Sequence, residues 1–210
     1  AIEDAGLDSA WCDGGIYATF THMLNATNRI SIGSAITPAF DYRPISHAYN
    51  TMFLNELSGG RFINGLGSQT RGQIRTELGM EVVKPAKMAR EMLEILNLLL
   101  NNTGEGRLLY KGEFFSINFL GARARFKKRE DLPSASVYYS GVNRLNLRLA
   151  GELAGGLVGH PIFPVRYYND VVWPNVSEGL RRSGRTRADF EMCALPIIWV
   201  AHNEAELREG

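Results

Sequence analysis

A chain of 210 residues, 45% hydrophobic and 21% charged, can bury one sizeable core, and its length favours one domain. A formal net charge of +1 gives no bulk attraction for nucleic acid or an anionic membrane, and the apolar runs are too short and interrupted to span a bilayer. Cys12 and Cys193, each in an apolar run that reads as a strand, form neither a disulfide framework nor a metal-ligand spacing; both are expected buried and inert in a reducing cytoplasm.

In chain order, residues 1–6 read as the last turns of a helix closed by Gly6. Ser9-Ala10-Trp11-Cys12 then runs as a short buried strand into the loop Asp13-Gly14-Gly15. Residues 19–28 are helix-like, and 29–37 form the next strand, stopped by Pro38. Pro44 stands where a first helical residue belongs and Gly59-Gly60 where a helix must end. Between them Ile45, Ala48, Tyr49, Met52 and Phe53 recur at helical spacing, and 61–67 returns as a strand. Residues 86–101 make a strong helix whose Met88, Met92, Ile95, Leu96 and Leu99 share one core stripe. No helical period survives over 104–133, where 110–115 suggests a hairpin or extended insertion. The alternation resumes with strand 135–139, helix 143–154, strand 156–159, a long helix over 164–183, strand 192–201 and a helix from 203. Basic clusters at 123–129 and 181–187 read as solvated loop or helix ends.

Strands alternating with helices imply parallel strands joined by right-handed crossovers. Six strands are visible, near residues 11, 32, 63, 137, 158 and 197. The expectation is an α/β fold, a single (β/α)8 TIM-type barrel incomplete in this chain: its first strand and last βα unit are missing, and 104–133 is an insertion. A doubly wound open sheet is the alternative, disfavoured because no glycine-rich dinucleotide fingerprint follows a strand.

In a parallel barrel the ligand lies over the carboxyl ends of the strands. Those positions hold Asp13-Gly14-Gly15, Ala35-Ile36-Thr37-Pro38, Gly65-Leu66-Gly67-Ser68-Gln69, Ser140-Gly141-Val142-Asn143 and His160-Pro161. The set is small and neutral, with no Ser-His-Asp constellation, paired carboxylates or metal cluster. A cofactor that brings its own reactivity fits such a mouth better than hydrolytic or metal chemistry.

The segment Leu57-Ser58-Gly59-Gly60-Arg61-Phe62-Ile63-Asn64-Gly65-Leu66-Gly67-Ser68 resembles the hallmark of the luciferase-like monooxygenases and F420-dependent oxidoreductases. The stretches 5–11, 29–33, 110–115 and 147–152 are similar too, so the resemblance covers essentially the whole chain. Residues 33–37 and 156–161 look closest to the F420-using branch. The resemblance implies a non-prolyl cis peptide at Ala35-Ile36, with Thr37 beside it, backing a deazaflavin ring. It also implies close approach of cofactor to backbone at Gly65, Gly67, Ser68 and Gln69. Ser140, Gly141, Val142 and Asn143, opening a helix, would take a cofactor phosphate on free N–H groups; an ordinary N-cap is the plainer alternative.

Glu56 and Arg61 are expected to form a structural ion pair on the lower face, and His22 and His47 to be structural. Asp13 and His160 are the only candidates for a catalytic role. The family often carries a histidine after the acidic residue, where this chain has Gly14, so no proton donor is assigned. These residues point to an F420-dependent oxidoreductase moving a hydride between the deazaflavin and a small-molecule substrate. The alternatives are an FMN monooxygenase fed by a separate flavin reductase, and a truncated non-catalytic flavin-binding paralogue. Neither nucleic acid nor membrane is expected as a partner; a homodimer is an open possibility.

Overall fold

The computed structural model describes residues 2–125, 127–198 and 200–208. Strands β1 (Ser9–Cys12), β2 (Ser31–Ser34), β3 (Thr37–Pro38) and β4 (Phe62–Gly67) enclose helices α1 (Tyr17–Asn25) and α2 (Pro44–Leu57). Next come α3 (Arg71–Glu77) and α4 (Pro85–Leu100), then the hairpin β5 (Arg107–Lys111) and β6 (Ser116–Leu120). The alternation continues through β7 (Ser136–Ser140), α5 (Arg144–Leu153) and β8 (Gly156–Val158). The last part holds α6 (Val165–Tyr167), a π turn at Tyr168–Val172, α7 (Trp173–Arg182), β9 (Glu191–Cys193) and α8 (Glu204–Leu207).

The sheet runs β1-β2-β4-β7-β8-β9, neighbours in chain order and parallel throughout, with β3 also paired on β4. This is the α/β layout of an incomplete (β/α)8 barrel. Its curl is visible in the side chains. β1 and β7 are separated by two strands, which in a flat sheet would put them about 14 Å apart. Yet the Trp11 and Tyr138 rings meet with centroids 5.8 Å apart. Trp11 lies across Gly33, where any Cβ would overlap its ring, and Tyr138 covers Gly156 in the same way. Large side chains opposite glycines thus fill the barrel interior beneath the mouth.

The other strand faces meet the helices. Phe20, Leu24, Ile30, Ile32, Leu54 and Phe62 form one cluster. A larger one takes Leu66, Val137, Tyr139 and Leu157 from the sheet with Met88, Met92, Ile95, Leu96 and Leu99 of α4. Burying each such side chain contributes about 1.5–3 kcal/mol.

Several boundaries differ from expectation. Ala1 lies outside the described residues; the rest of the opening segment is a set of turns ending at Gly6, with φ of 78°. The strand expected over 192–201 is confined to β9, because only 191–193 find a partner in β8; Trp199 lies outside the described residues. The strand expected over 29–37 is interrupted: β2 ends at Ser34, and after a bulge the chain pairs with β4 as β3, which ends at Pro38 as expected. Helix α3 was hidden by weak periodicity, although Thr70 and Gln73 close a capping box at its start. Both cysteines are half-buried, with Cys12 Sγ 3.4 Å from Met23 Sδ.

The Glu56–Arg61 pair does not form. Glu56 binds Arg129 at 2.7 Å. The Arg61 guanidinium instead donates to the carbonyls of Leu24, Thr27, Ile30 and Ser58 and to Thr27 Oγ1. The turn after Gly59 and Gly60, both with positive φ, lays Arg61 against the chain end of α1, whose last carbonyls need donors.

Between α4 and β7 the chain makes the antiparallel hairpin β5–β6. Its tip is held by Glu91, 4% exposed, whose carboxylate accepts the N–H groups of Glu113, Phe114 and Phe115. Tyr110 donates to Glu94 at 2.6 Å, and Tyr110, Phe114 and Phe115 all pack with the outer core.

Candidate functional site

The carboxyl ends of the strands meet at a mouth. At the end of β1 the chain turns through exposed Asp13 to buried Gly14, whose N–H donates to the Ile36 carbonyl at 3.2 Å. A Cβ at Gly14 would stand 2.5 Å from Thr37 Oγ1 and 2.6 Å from Thr37 N. Any side chain at position 14 therefore has no room while Thr37 stays where it is.

After β2 the Ala35-Ile36 peptide is cis, and Ala35 N donates to the Cys12 carbonyl at 2.7 Å. Thr37 Oγ1 is buried and finds no hydrogen-bond partner. The glycines of β4 face this bulge. A Cβ at Gly65 would overlap the Ser34 carbonyl, and one at Gly67 would overlap the Ile36 side chain. Their small size serves the close passage of the chain's own bulge. Ser68 follows half-buried, and Gln69 has the left-handed φ of 57°.

At the end of β7, half-buried Ser140 leads through buried Gly141 and exposed Val142 to Asn143. Asn143 caps α5 by accepting the Asn146 N–H at 2.9 Å. The amides of the next first-turn positions have no partner inside the helix, as at any helix start. Gly141 presses on α5, since a Cβ there would overlap that of Asn146; Asn146 Oδ1 is buried without a partner. Tyr167 Oη donates to the Val142 carbonyl at 2.8 Å and ties this loop to α6. At β8, His160 is half-exposed, accepts the Ile162 N–H on Nδ1 and stands 5.9 Å from the Phe163 ring. Asp13 and His160 both sit at strand ends, but among the described residues no hydrogen bond or ion pair joins either to another titratable side chain. No cluster of three metal-ligating side chains occurs among the described residues.

Sequence reasoning passed over the polar residues behind the bulge. Tyr17, Ser34, His47, Thr51 and Asn64 are all buried and hydrogen-bonded to one another. The available signal was a polar residue inside an apolar period: Asn64 among the residues of β4, and His47 on the stripe of Ile45, Ala48 and Met52.

The curled parallel sheet and the helices around it define a (β/α)8-type half-barrel. Its family follows from comparison: the luciferase-like monooxygenase family model matches residues 1–210, and the chain belongs to that family. It is 30% identical over 211 residues to an uncharacterized protein of Mycobacterium tuberculosis, covering 99% of this chain and 62% of that protein. It is 29% identical over 214 residues to the 5,10-methylenetetrahydromethanopterin reductase of Archaeoglobus fulgidus, covering 99% of this chain and 60% of the reductase. Among solved structures, an F420-dependent secondary alcohol dehydrogenase in complex with an F420–acetone adduct superposes with a TM-score of 0.77 at 22% identity. That superposition covers 91% of this chain and 61% of the dehydrogenase, and is a likeness of fold. The chain spans about three-fifths of the length of the curated relatives it matches.

Proposed function

We propose that this protein is an F420-dependent oxidoreductase acting on a small organic substrate. The observation that carries the reading is the mouth itself: a backbone bulge at 35–37 and a helix start at 140–146 on either side of Gly67, with no group of three metal-ligating side chains among the described residues. The N–H groups of the first turn of α5, which have no partner inside the helix, fit an anionic group beside Gly141. The similarity to a methylenetetrahydromethanopterin reductase supports the same reading.

Bound, a deazaflavin would supply the hydride transfer, and the chain's part would be to hold the ring, shape the pocket and move a proton. Ala35, Ile36 and Thr37 would wall one face of the ring and exclude water. Ser140, Gly141, Val142 and Asn143 would hold the phosphate, and Ser68 and Gln69 the part between, while Gly65 and Gly67 let the bulge pass close to β4. Asp13 or His160 would exchange a proton with the substrate.

The test is a fluorescence titration of the protein with F420 and, separately, FMN. Tighter binding of F420 is expected. Tighter FMN binding with oxygen consumption would favour the reductase-fed monooxygenase, and binding of neither would overturn the cofactor reading. Gly141→Ala, which drives a methyl into Asn146 and lifts the loop off α5, should weaken F420 binding tenfold to a thousandfold. That is a loss of about 1.4–4 kcal/mol, the size expected for one or two charge-assisted hydrogen bonds. A thermal melt checks that the fold survives.

A further inference from the structure

The bulge after β2 is suspended at both ends from one buried network. Ser34, just before it, accepts the Gly65 N–H on Oγ at 2.8 Å and donates to the Gly65 carbonyl at 2.9 Å. Ala39, just after it, gives its N–H to the Gly67 carbonyl at 2.9 Å, and its own carbonyl is met by His47 Nε2 at 3.1 Å. A carbonyl only accepts, so Nε2 carries the imidazole proton and Nδ1 is left as acceptor. Tyr17 Oη, 2.6 Å from Nδ1, is then the donor.

The same logic runs onward without conflict. Tyr17 Oη accepts from Asn64 Nδ2 at 2.9 Å, and the other Nδ2 hydrogen goes to Thr51 Oγ1 at 2.7 Å. Thr51 in turn donates to the His47 carbonyl at 2.7 Å, and Ser34 Oγ lies 3.4 Å from Asn64 Oδ1. Every hydrogen but that of the Ser34 hydroxyl, which is shared between the Gly65 carbonyl and Asn64 Oδ1, has one destination. Burial keeps the imidazole neutral, its pKa pushed down to about 4. The edges of the Tyr17 and Tyr42 rings face it, with centroids 5.9 and 5.4 Å away. Tyr17, Ser34, His47, Thr51 and Asn64 come from α1, β2, α2 and β4 and are all buried, so they shape the mouth through the strand ends they hold.

We propose that His47 and Tyr17 are positioning residues that set the bulge at 35–39 as the wall behind the cofactor ring; the cofactor part of this inference rests on the function proposed above. His47→Leu removes both polar contacts of the imidazole and strands the Ala39 carbonyl and the Tyr17 hydroxyl. His47→Gln can restore them, with its amide N–H toward Ala39 and its oxygen toward Tyr17. Tyr17→Phe keeps the ring and deletes only the hydroxyl, which provides a milder variant should His47→Leu not fold.

Two measurements decide the matter. The first is hydrogen–deuterium exchange of the unloaded protein, comparing the Ala35 and Ala39 amides with those of Leu66 and Val137 in the sheet ladder. In His47→Leu or Tyr17→Phe the bulge amides should exchange at least tenfold faster relative to the ladder, and His47→Gln should bring them most of the way back. Exchange that rises equally everywhere, or not at all, would overturn the clamp. The second is F420 affinity together with the emission spectrum of the bound cofactor. Folded His47→Leu or Tyr17→Phe should bind at least tenfold more weakly with a shifted spectrum, rescued by His47→Gln. Loosened bulge amides with unchanged affinity and spectrum would overturn the positioning role and leave a purely structural one. If the unmodified protein binds neither F420 nor FMN, the function reading fails, and the exchange data alone decide whether the clamp exists.

Discussion

On the side of β2 and β4, the mouth is walled by a bulge whose two ends hang on buried side chains. On the side of β7 and β8, it is walled by a glycine turn and a capped helix, with Val142 and Ile162 44% and 67% exposed. The first wall is set from behind by a hydrogen-bond network that water does not reach. The second is set locally, by Gly141 fitting over α5 and by one cap. The difference teaches where substitutions should hurt: on the first side by destroying the fold or the wall's shape, on the second by loosening a binding loop that the core does not depend on.

The largest effect should come from Gly65→Ala. Its methyl would overlap the Ser34 carbonyl and approach Val158 Cγ2 to 2.9 Å, and backbone cannot swing aside as a side chain does. A loss of about 3 kcal/mol or more is expected from such overpacking. Gly15→Ala, also at the mouth but with nothing within 4 Å of the new Cβ, should stay within about 0.5 kcal/mol. Urea denaturation of both variants measures the contrast. Equal stabilities would mean that the bulge side is as pliable as its neighbours.

The second effect is one of pH. In the folded protein, burial pushes the His47 pKa down from 6.5 to about 4. Above pH 6.5 neither state binds the proton, and the full stability is present. Below it the unfolded chain takes the proton first, so stability falls by about 1.4 kcal/mol per pH unit until the folded state titrates near pH 4. The loss accumulates to about 3 kcal/mol over that window. Carboxylates titrate at the acid end as well, so the signal is the difference between the protein and His47→Gln, which should lack this one-proton slope. Parallel slopes from pH 6.5 to 4.5 would show that His47 is not held neutral.

The barrel layout was legible because its strands and helices announce themselves by period and by Pro44, Gly59 and Gly60 at their ends. The mouth positions were legible because a parallel barrel puts them after each strand. What could not be read were relations between distant residues. Arg61 was paired with Glu56 by nearness in sequence, yet apart from the Ser58 carbonyl its carbonyl partners lie 31 to 37 residues away, brought in by the return of β4 beside β2. The glycines of β4 were legible as close approaches, but not that the chain's own bulge is what approaches. His47 reads as one polar residue on an apolar stripe; its partner Tyr17 lies 30 residues earlier, and only packing of α1 on α2 joins them.

The smallest effect concerns the other wall. Asn143→Ala deletes the side chain that accepts the Asn146 N–H, leaving one more orphan donor at the start of α5. Loss of such a cap costs about 1 kcal/mol. The helix should persist, because Leu147, Leu149 and Ala150 stay buried and held by the outer core, so only its first turn frays. Fraying moves the amides proposed to bind phosphate without removing them, and cofactor affinity should fall by less than tenfold, well short of the effect of Gly141→Ala. Chemical denaturation and an F420 titration of the same preparation give both numbers. A loss of 3 kcal/mol or more would show that this wall, like the opposite one, is built into the core, and the contrast between the two sides of the mouth would not stand.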